Sequence, residues 1–117
     1  MKLNLEVSSR KDVAILHCSG PIAYREDAAA LMEKVAELLT DTQQLVLEMS
    51  GVNRIDRTAL GELAVIIMWA RAAKCSVRLA GPRQNIRELL ELTNLVSVIQ
   101  IDPTLDQSVL AFRQQAA

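Results

Sequence analysis

The chain has 117 residues, of which half are apolar and only three are aromatic, and its formal net charge is −1. A domain of this length buries about two-thirds of its unfolded surface, so it needs neither a disulfide nor a metal to fold. Three aromatic side chains are too few to stack on single-stranded nucleic acid, and a near-neutral chain is not drawn to DNA or anionic lipid. The composition predicts one aliphatic domain over residues 1–117.

Several kinds of protein are excluded by short sequence features. No secretory signal is expected in the first nine residues, and no apolar run reaches the roughly 18 residues of a membrane span. Cys18 and Cys75 lie far apart without metal-binding spacing, so we expect reduced, buried thiols. His17, the only histidine, lies in an apolar run and is expected to be a partly buried strand residue. We therefore expect a cytoplasmic protein that is not an enzyme, uses no metal or cofactor and does not insert into a membrane.

The hydrophobic pattern predicts strands alternating with helices. Alternating Leu3, Leu5 and Val7 predict a strand that pairs as a hairpin with a second strand over 13–19, which Gly20-Pro21 ends. The further elements expected are helices over about 24–40, 56–74, 83–92 and 104–114, and strands over 45–49, 77–80 and 96–101. Alternation of this kind predicts a partly parallel sheet, to which the hairpin adds an antiparallel part, in a single α/β domain.

The segment 45–61 combines a buried strand, a polar loop and the start of a helix. Asn53 and Arg54 are predicted to lie in the loop, and Asp56 is suited to cap the helix because its carboxylate accepts from the first free amides. Thr58 then lies in the first helical turn, at the rim of the sheet where α/β proteins place anionic ligands.

This segment resembles the signature of the STAS domain family, the fold of bacterial anti-sigma-factor antagonists. The family pattern D-[ILV]-S-G-V-x-x-[IVM]-D-S-[ST]-G-L-G corresponds here to Glu48–Gly61, E-M-S-G-V-N-R-I-D-R-T-A-L-G. The stretches 79–82 and 86–95 are similar to the family's fourth strand and third helix, and the element order matches from about residue 2 to residue 113. The resemblance implies a STAS-like domain with a mixed sheet of about five strands and about four helices, mainly covering one face.

The resemblance also implies a function in regulation. In that family, a cognate anti-sigma-factor kinase phosphorylates the hydroxyl residue two positions after the loop aspartate, and the unmodified form binds that kinase. Thr58 occupies the matching position, and its environment is expected to comprise Asn53, Asp56, Arg57, Ala59 and Gly61. The implied protein binds an anti-sigma factor, a serine/threonine kinase, and a phosphate of about −1.5 to −2 charges on Thr58 weakens that docking.

Three departures from the family pattern keep a second function open. Arg57 replaces a serine, Ala59 replaces a glycine, and the stretch 20–23 lacks the family's loop aspartate. Arg57 either holds a phosphate on Thr58 as a close cation or excludes the usual kinase, in which case Thr58 is an unmodified helix-start hydroxyl. The alternative function is that of a non-switched STAS subunit in a phospholipid-transport or other signalling complex.

The helix after Thr58 is apolar nearly all round. Its predicted core stripe consists of Leu60, Leu63, Ala64, Ile67 and Arg71. Val65, Ile66 and Trp69 lie largely on another side and are expected, together with Arg54, to bind the partner. Packing of Trp69 against a neighbouring helix is an equally good interpretation of the same pattern.

Four arginines, Arg54, Arg57, Arg83 and Arg87, are placed by the predicted topology at one rim of the sheet. They form either a positive surface for an acidic or phosphate-bearing partner or an ordinary solvated rim. The sequence holds neither GxxxxGK[ST] nor GxGxxG, so no nucleotide site is predicted. The oligomeric state is left open, a homodimer included.

Overall fold

A computed structural model describes residues 2–115 of the chain. The elements in chain order are β1 (Asn4–Arg10), β2 (Val13–Ile22), α1 (Arg25–Leu39), β3 (Gln44–Ile55), α2 (Arg57–Ala72), β4 (Ser76–Ala80), α3 (Gln84–Leu92), a 3₁₀ turn (Leu95–Ser97), β5 (Gln100–Asp102) and α4 (Leu105–Gln115). The four predicted helices are thus present, each within about two residues of its predicted ends.

The strands form one sheet in the order β1-β2-β3-β4-β5. The first two are antiparallel, with Asn4 opposite Ser19 and Arg10 opposite Val13, and the remaining neighbours are parallel. The mixed sheet and the opening hairpin are therefore confirmed. Because β2, β3 and β4 run in parallel, their carboxyl ends meet at one rim, where α2 and α3 begin.

Two cores lie on opposite faces of the sheet. The larger one packs α1, α2 and α3 against strand residues such as Leu45 and Leu47, and the smaller one packs Val109 and Phe112 of α4 against residues such as Val46. Successive side chains of a strand point to opposite faces, which places Leu45 and Val46 in different cores. Three of the four helices cover one face, as the predicted architecture requires.

Gly20-Pro21 does not end β2, so the predicted end of that strand is wrong. The strand continues to Ile22 through two irregularities in its pairing with β3. Gly20 has φ +92°, and a Cβ on it would lie 2.6 Å from the carbonyl oxygen of Lys2, so this bulge requires glycine. Proline is tolerated at a bulge because the ladder hydrogen bond is already interrupted there.

Two further predictions about strands are wrong. β3 runs on to Ile55 because its last residues pair with β2, so Asn53 and Arg54 lie at the end of a strand rather than in a loop. The predicted strand over 96–101 is instead a 3₁₀ turn followed by the three-residue β5. Asn94 adopts a left-handed conformation with φ 61°, which turns the chain there.

A polar cluster beneath α4 links the far edge of the sheet to that helix. Arg78 of β4 makes a bidentate ion pair with Asp102 of β5, with N···O distances of 2.7 and 3.0 Å. The Ser108 hydroxyl of α4 donates to the same carboxylate at 2.6 Å. The two charged side chains are only 11% and 14% exposed. The hydrogen bonds from Arg78 hold the pKa of Asp102 below its usual range, outweighing the opposing effect of burial.

The cysteines and the histidine occupy the predicted environments. Cys18 and Cys75 are free, buried thiols, and burial raises the pKa of Cys18 to about 12. His17 is half-buried on β2, with its Nε2 atom 2.8 Å from the Ser8 hydroxyl. Of the helices within residues 2–115, none has the length and apolar character required to cross a membrane.

Candidate functional site

The candidate site lies where β2 and β3 end and α2 begins. The two strands stay paired to their last residues, with Ile22 opposite Ile55. The Asp56 N–H then donates to the Ile22 carbonyl oxygen at 3.2 Å, which extends the ladder by one bond. This pairing fixes the position and direction of the α2 N-terminus relative to the sheet.

Asp56 caps α2, as the sequence predicts. Its Oδ1 atom accepts from the Ala59 N–H at 2.9 Å, and its backbone carbonyl accepts from the Leu60 N–H at 3.0 Å. The carboxylate is therefore occupied in holding the first turn of the helix. Ala59, which replaces the glycine of the family pattern, is buried, so its methyl group is part of the packing beneath that turn.

Thr58 lies exposed in this first turn, two residues after the cap, next to the exposed Arg57. Within residues 2–115, neither side chain makes a hydrogen bond or an ion pair, and the first turn holds no acidic residue. The N-terminus of a helix stabilises negative charge because its first amides lack partners and its dipole is positive there. Thr58 is accessible to a modifying enzyme in a setting that favours an anion.

An apolar hollow of about 490 Å³ lies beside Thr58, between α2 and the end of α3. It is lined by Arg57, Leu60, Gly61, Thr93 and Leu95. Gly61 follows Thr58 by three residues and therefore lies on the same side of the helix. A Cβ built on Gly61 meets no other atom within 4 Å, so this glycine leaves open surface rather than a tight contact. Sequence reasoning selected Gly61 but missed Thr93 and Leu95, which only the tertiary structure brings here.

Replacing Gly61 by Ala is expected to stabilise the protein and to weaken partner binding. Alanine is favoured over glycine within a helix by about 1 kcal/mol, and no neighbouring atom opposes the added methyl group. The melting temperature should rise by about 4 °C. A partner seated in the hollow should bind less tightly because the methyl group occupies its space. Thermal unfolding followed by circular dichroism and a binding titration measure the two effects, and a fall in stability contradicts the structural argument.

The four predicted arginines do not form one free cationic surface. Arg54 lies over the ring of the exposed Tyr24, 5.6 Å from its centre, while Arg83 donates to the Ser50 carbonyl oxygen at 3.0 Å. Arg87 pairs with Glu91 along α3 at 3.2 Å. Arg54 and Arg83 thus brace the ends of the strands.

Tyr24 was missed by the sequence analysis, although it is the only tyrosine and immediately precedes α1. It is exposed, and its hydroxyl accepts a hydrogen bond of 3.4 Å from Arg54. Asn53, expected in the environment of the phosphorylation site, is also exposed, and its carbonyl oxygen accepts from Asn85 of α3 at 3.3 Å. The rim therefore carries polar groups contributed by the residue before α1, by β3 and by α3.

Ile66 does not belong to the predicted partner-binding side of α2. Its side chain is completely buried in the larger core, so its placement on a docking surface is wrong. α2 packs against both the sheet and α1, which widens its buried side beyond one stripe. Arg71, expected in the core stripe, is exposed and donates to the Val98 carbonyl oxygen at 3.4 Å.

Val65 and Trp69 remain accessible to a partner. Val65 is half-buried, and Trp69, 41% exposed, borders an apolar hollow of about 500 Å³ between α1 and α2. The other residues lining this hollow are Ala36, Leu39, Ala72 and Ala73. At 1.5 Å per residue, Trp69 lies roughly 16 Å along the helix from Thr58.

Substitution of Ile66 by Ala should destabilise the protein more than substitution of the larger Trp69 by Ala. The buried Ile66 leaves a cavity, and Ile66→Ala is expected to lower the free energy of unfolding by about 3 kcal/mol. Trp69→Ala is expected to cost less, roughly 2 kcal/mol, because its side chain is 41% exposed and leaves no closed cavity. Urea unfolding measures both values, and an equal loss for the two variants would show that Trp69 is a core residue.

Comparison with known proteins gives one family and one fold. The STAS domain model matches residues 4–108. An anti-sigma factor antagonist from Mycobacterium paratuberculosis has a TM-score of 0.80 at 24% identity, covering 96% of this chain and 95% of that one. The anti-sigma factor antagonist SpoIIAA in its unphosphorylated form has a TM-score of 0.77 at 12% identity, covering 96% of both chains. A structure of SpoIIAA from Bacillus in the phosphorylated form also matches. The STAS domain of a SulP transporter from Vibrio cholerae has a TM-score of 0.74 at 16% identity, covering 94% of this chain and 89% of that one.

Proposed function

The chain belongs to the STAS domain family, and from this premise we propose that it is a cytoplasmic regulator of transcription that binds an anti-sigma-factor kinase and is released when Thr58 is phosphorylated. The observation that carries the proposal is the position of Thr58, exposed in the first turn of α2 beside a cap that fixes that turn. A SpoIIAA structure in the phosphorylated form supports phosphorylation as a switch on this fold.

The charges around Thr58 allow a phosphate to change docking without unfolding the domain. The unpaired amides and the dipole of α2 stabilise the phosphate, and the adjacent, exposed Arg57 adds a positive charge beside it. Asp56 repels the phosphate, but its carboxylate remains held by the Ala59 amide. The added charge of about −2 therefore stays at the surface, where it meets the partner.

We define the rim surface as Asn53, Arg54, Arg57, Thr58 and Gly61, and we assign the kinase to it. All five residues are exposed, and the apolar hollow beside Gly61 accepts a nonpolar side chain of the partner. Trp69 and Val65 extend this surface along α2. A standard interface covers about 800 Å² on each partner, wide enough to include both Thr58 and a residue roughly 16 Å away.

A second candidate is a permanent, non-switched subunit of a phospholipid-transport or other signalling complex. The substitution of the family serine by Arg57 favours it, since a bulky cation next to Thr58 obstructs a kinase that expects a serine there. A STAS domain of a SulP transporter shares the fold. In this case the rim surface and Trp69 form a constant interface, and Thr58 is an ordinary exposed hydroxyl.

Mass spectrometry of the tagged chain purified from cells, together with identification of the proteins that co-purify, distinguishes the two functions. The proposal predicts phosphate on Thr58 and capture of a kinase by the unmodified chain. Thr104 is a control for exposure at a helix start: it is also exposed, but it immediately precedes α4 and its hydroxyl accepts from the Gln107 N–H at 3.2 Å. Absence of phosphate on Thr58 under all growth conditions, with constant capture of a transport subunit, would overturn the proposal in favour of the second candidate.

A further inference from the structure

The outer edge of β1 is an unused pairing surface. Within residues 2–115, β1 pairs only with β2, and no other strand, helix or turn pairs with its second edge. Its seven residues extend for about 24 Å. An exposed edge of this length presents a row of unpaired N–H and C=O groups, on which another strand can pair.

The side chains of this strand separate into an apolar and a polar face. Leu3, which immediately precedes β1, continues the face formed by Leu5 and Val7, and Leu3 and Leu5 are half-buried against the larger core. Val7 continues this row but is 49% exposed. Glu6 and Arg10 lie on the other face, where Arg10 forms an ion pair with Asp106 of α4. Edge strands are commonly protected from pairing by charges, but here the apolar face carries none between residues 3 and 7.

We propose that β1 pairs antiparallel with β1 of a second copy of this chain about a two-fold axis at Leu5, forming a continuous ten-stranded sheet. This register places Leu5 opposite its own symmetry mate and Leu3 opposite Val7 of the other copy, twice per dimer. Every apolar side chain of the row then meets another, and the exposed part of Val7 is covered. The inference is independent of the proposed function.

The neighbouring registers oppose like charges or leave part of the apolar row without a described apolar partner. An axis at Asn4 places Leu3 opposite Leu5 and Lys2 opposite Glu6, but Val7 then lies opposite residue 1, outside the described residues, so its exposed side chain gains no described partner. An axis at Glu6 pairs Leu5 with Val7, but it places Glu6 opposite Glu6 and Lys2 opposite Arg10, so that like charges oppose one another. An axis at Val7 places the apolar Leu5 opposite the polar Ser9, so Leu5 has no apolar partner directly opposite. With the axis at Leu5, no like charges lie directly opposite one another: Lys2 faces Ser8 of the other copy, with Glu6 on one diagonal and Arg10 on the other. The apolar row, which is complementary to itself in this register without directly opposed like charges, therefore favours a second copy as the occupant of this edge.

Sedimentation velocity of the purified chain tests the dimer, with Val7→Lys as the disrupting variant. We expect a dimer at about 100 µM protein and at least a ten-fold weaker association of Val7→Lys. Val7 is exposed in the single chain, so the variant should keep its circular dichroism spectrum and melting temperature. Met68→Lys is the matched control because Met68 is 68% exposed on α2, and it should dimerise normally. A monomer at all concentrations, or equal association of the two variants, overturns the proposal.

Cysteine cross-linking tests the register. Leu5→Cys should form a disulfide across the two-fold axis under mild oxidation, whereas Val7→Cys alone should not, since Val7 faces Leu3 of the other copy. Mixing Leu3→Cys and Val7→Cys proteins should yield a cross-linked heterodimer even if Leu5→Cys folds poorly. Because Leu5 lies directly opposite Cys18 in the pairing of β1 with β2, the Leu5→Cys variant also carries Cys18→Ala, so that no disulfide forms within one chain. Cys75 is buried and should not react. Cross-linking through Val7→Cys alone, or no cross-link from the mixture, contradicts the axis at Leu5.

Discussion

Thr58→Glu is expected to weaken binding to the anti-sigma-factor kinase at least a hundred-fold, or about 3 kcal/mol, without reducing stability. A carboxylate at this position places a fixed negative charge in the middle of the rim surface, and like-charge or unpaired contacts in an interface cost several kcal/mol. In the free protein the same carboxylate lies at the N-terminus of α2, where it is stabilising by about 0.3–1 kcal/mol. Isothermal titration calorimetry and thermal unfolding measure the two effects separately.

Two controls isolate the charge at Thr58. Thr58→Val keeps the branched shape without the hydroxyl group, so it should bind the kinase but resist phosphorylation. Thr104→Glu adds the same charge at the start of α4, outside the rim surface, and should bind as the native chain does. If Thr58→Glu retains full affinity for the partner, charge at this position does not control docking, and the non-switched function is favoured.

Arg78→Leu is expected to lower the free energy of unfolding by about 3–5 kcal/mol at neutral pH, a large part of the stability of a domain this size. The substitution removes the cation of a mostly buried ion pair and leaves the Asp102 carboxylate with only the Ser108 hydroxyl as a partner. Arg87→Leu is the matched control because its ion pair with Glu91 lies on the surface of α3, and it should cost less than about 0.5 kcal/mol. Urea unfolding of the two variants and the native chain provides the comparison.

The loss in unfolding free energy caused by Arg78→Leu should become smaller as the pH falls. In the native chain the pKa of Asp102 is lowered by Arg78, so its stabilising contribution is complete above the unfolded pKa of about 4 and is lost as the pH falls through the lower folded value. In the variant, Arg78 no longer outweighs the effect of burial, so burial raises the pKa of Asp102. Protonation at low pH then removes the unpaired buried charge, and the variant regains part of its stability. A difference in unfolding free energy that stays constant between pH 7 and pH 4 contradicts this account.

Pairing between β2 and β3 places the ends of both strands later in the chain than the sequence predicts. Gly20-Pro21 has the composition of a turn, yet it continues β2 because a neighbouring strand and the backbone of Lys2 lie against it. Asn53 and Arg54 are polar, yet they lie in β3 because β2 offers a partner that far. Local propensity contributes at most about 1 kcal/mol per residue, which a ladder of hydrogen bonds and burial readily exceeds.

The sequence by itself determined the order of the elements, the mixed sheet, the cap at Asp56 and the exposed first turn with Thr58. Each of these depends on periodicity or on contacts within about four residues. The tertiary structure alone decided that Ile66 is core and Trp69 is not, because α1 covers one side of α2. It also decided that Arg78 meets Asp102, 24 residues away in the chain, since strand pairing places them together. Contacts across such separations depend on how complete elements pack, which no local pattern specifies.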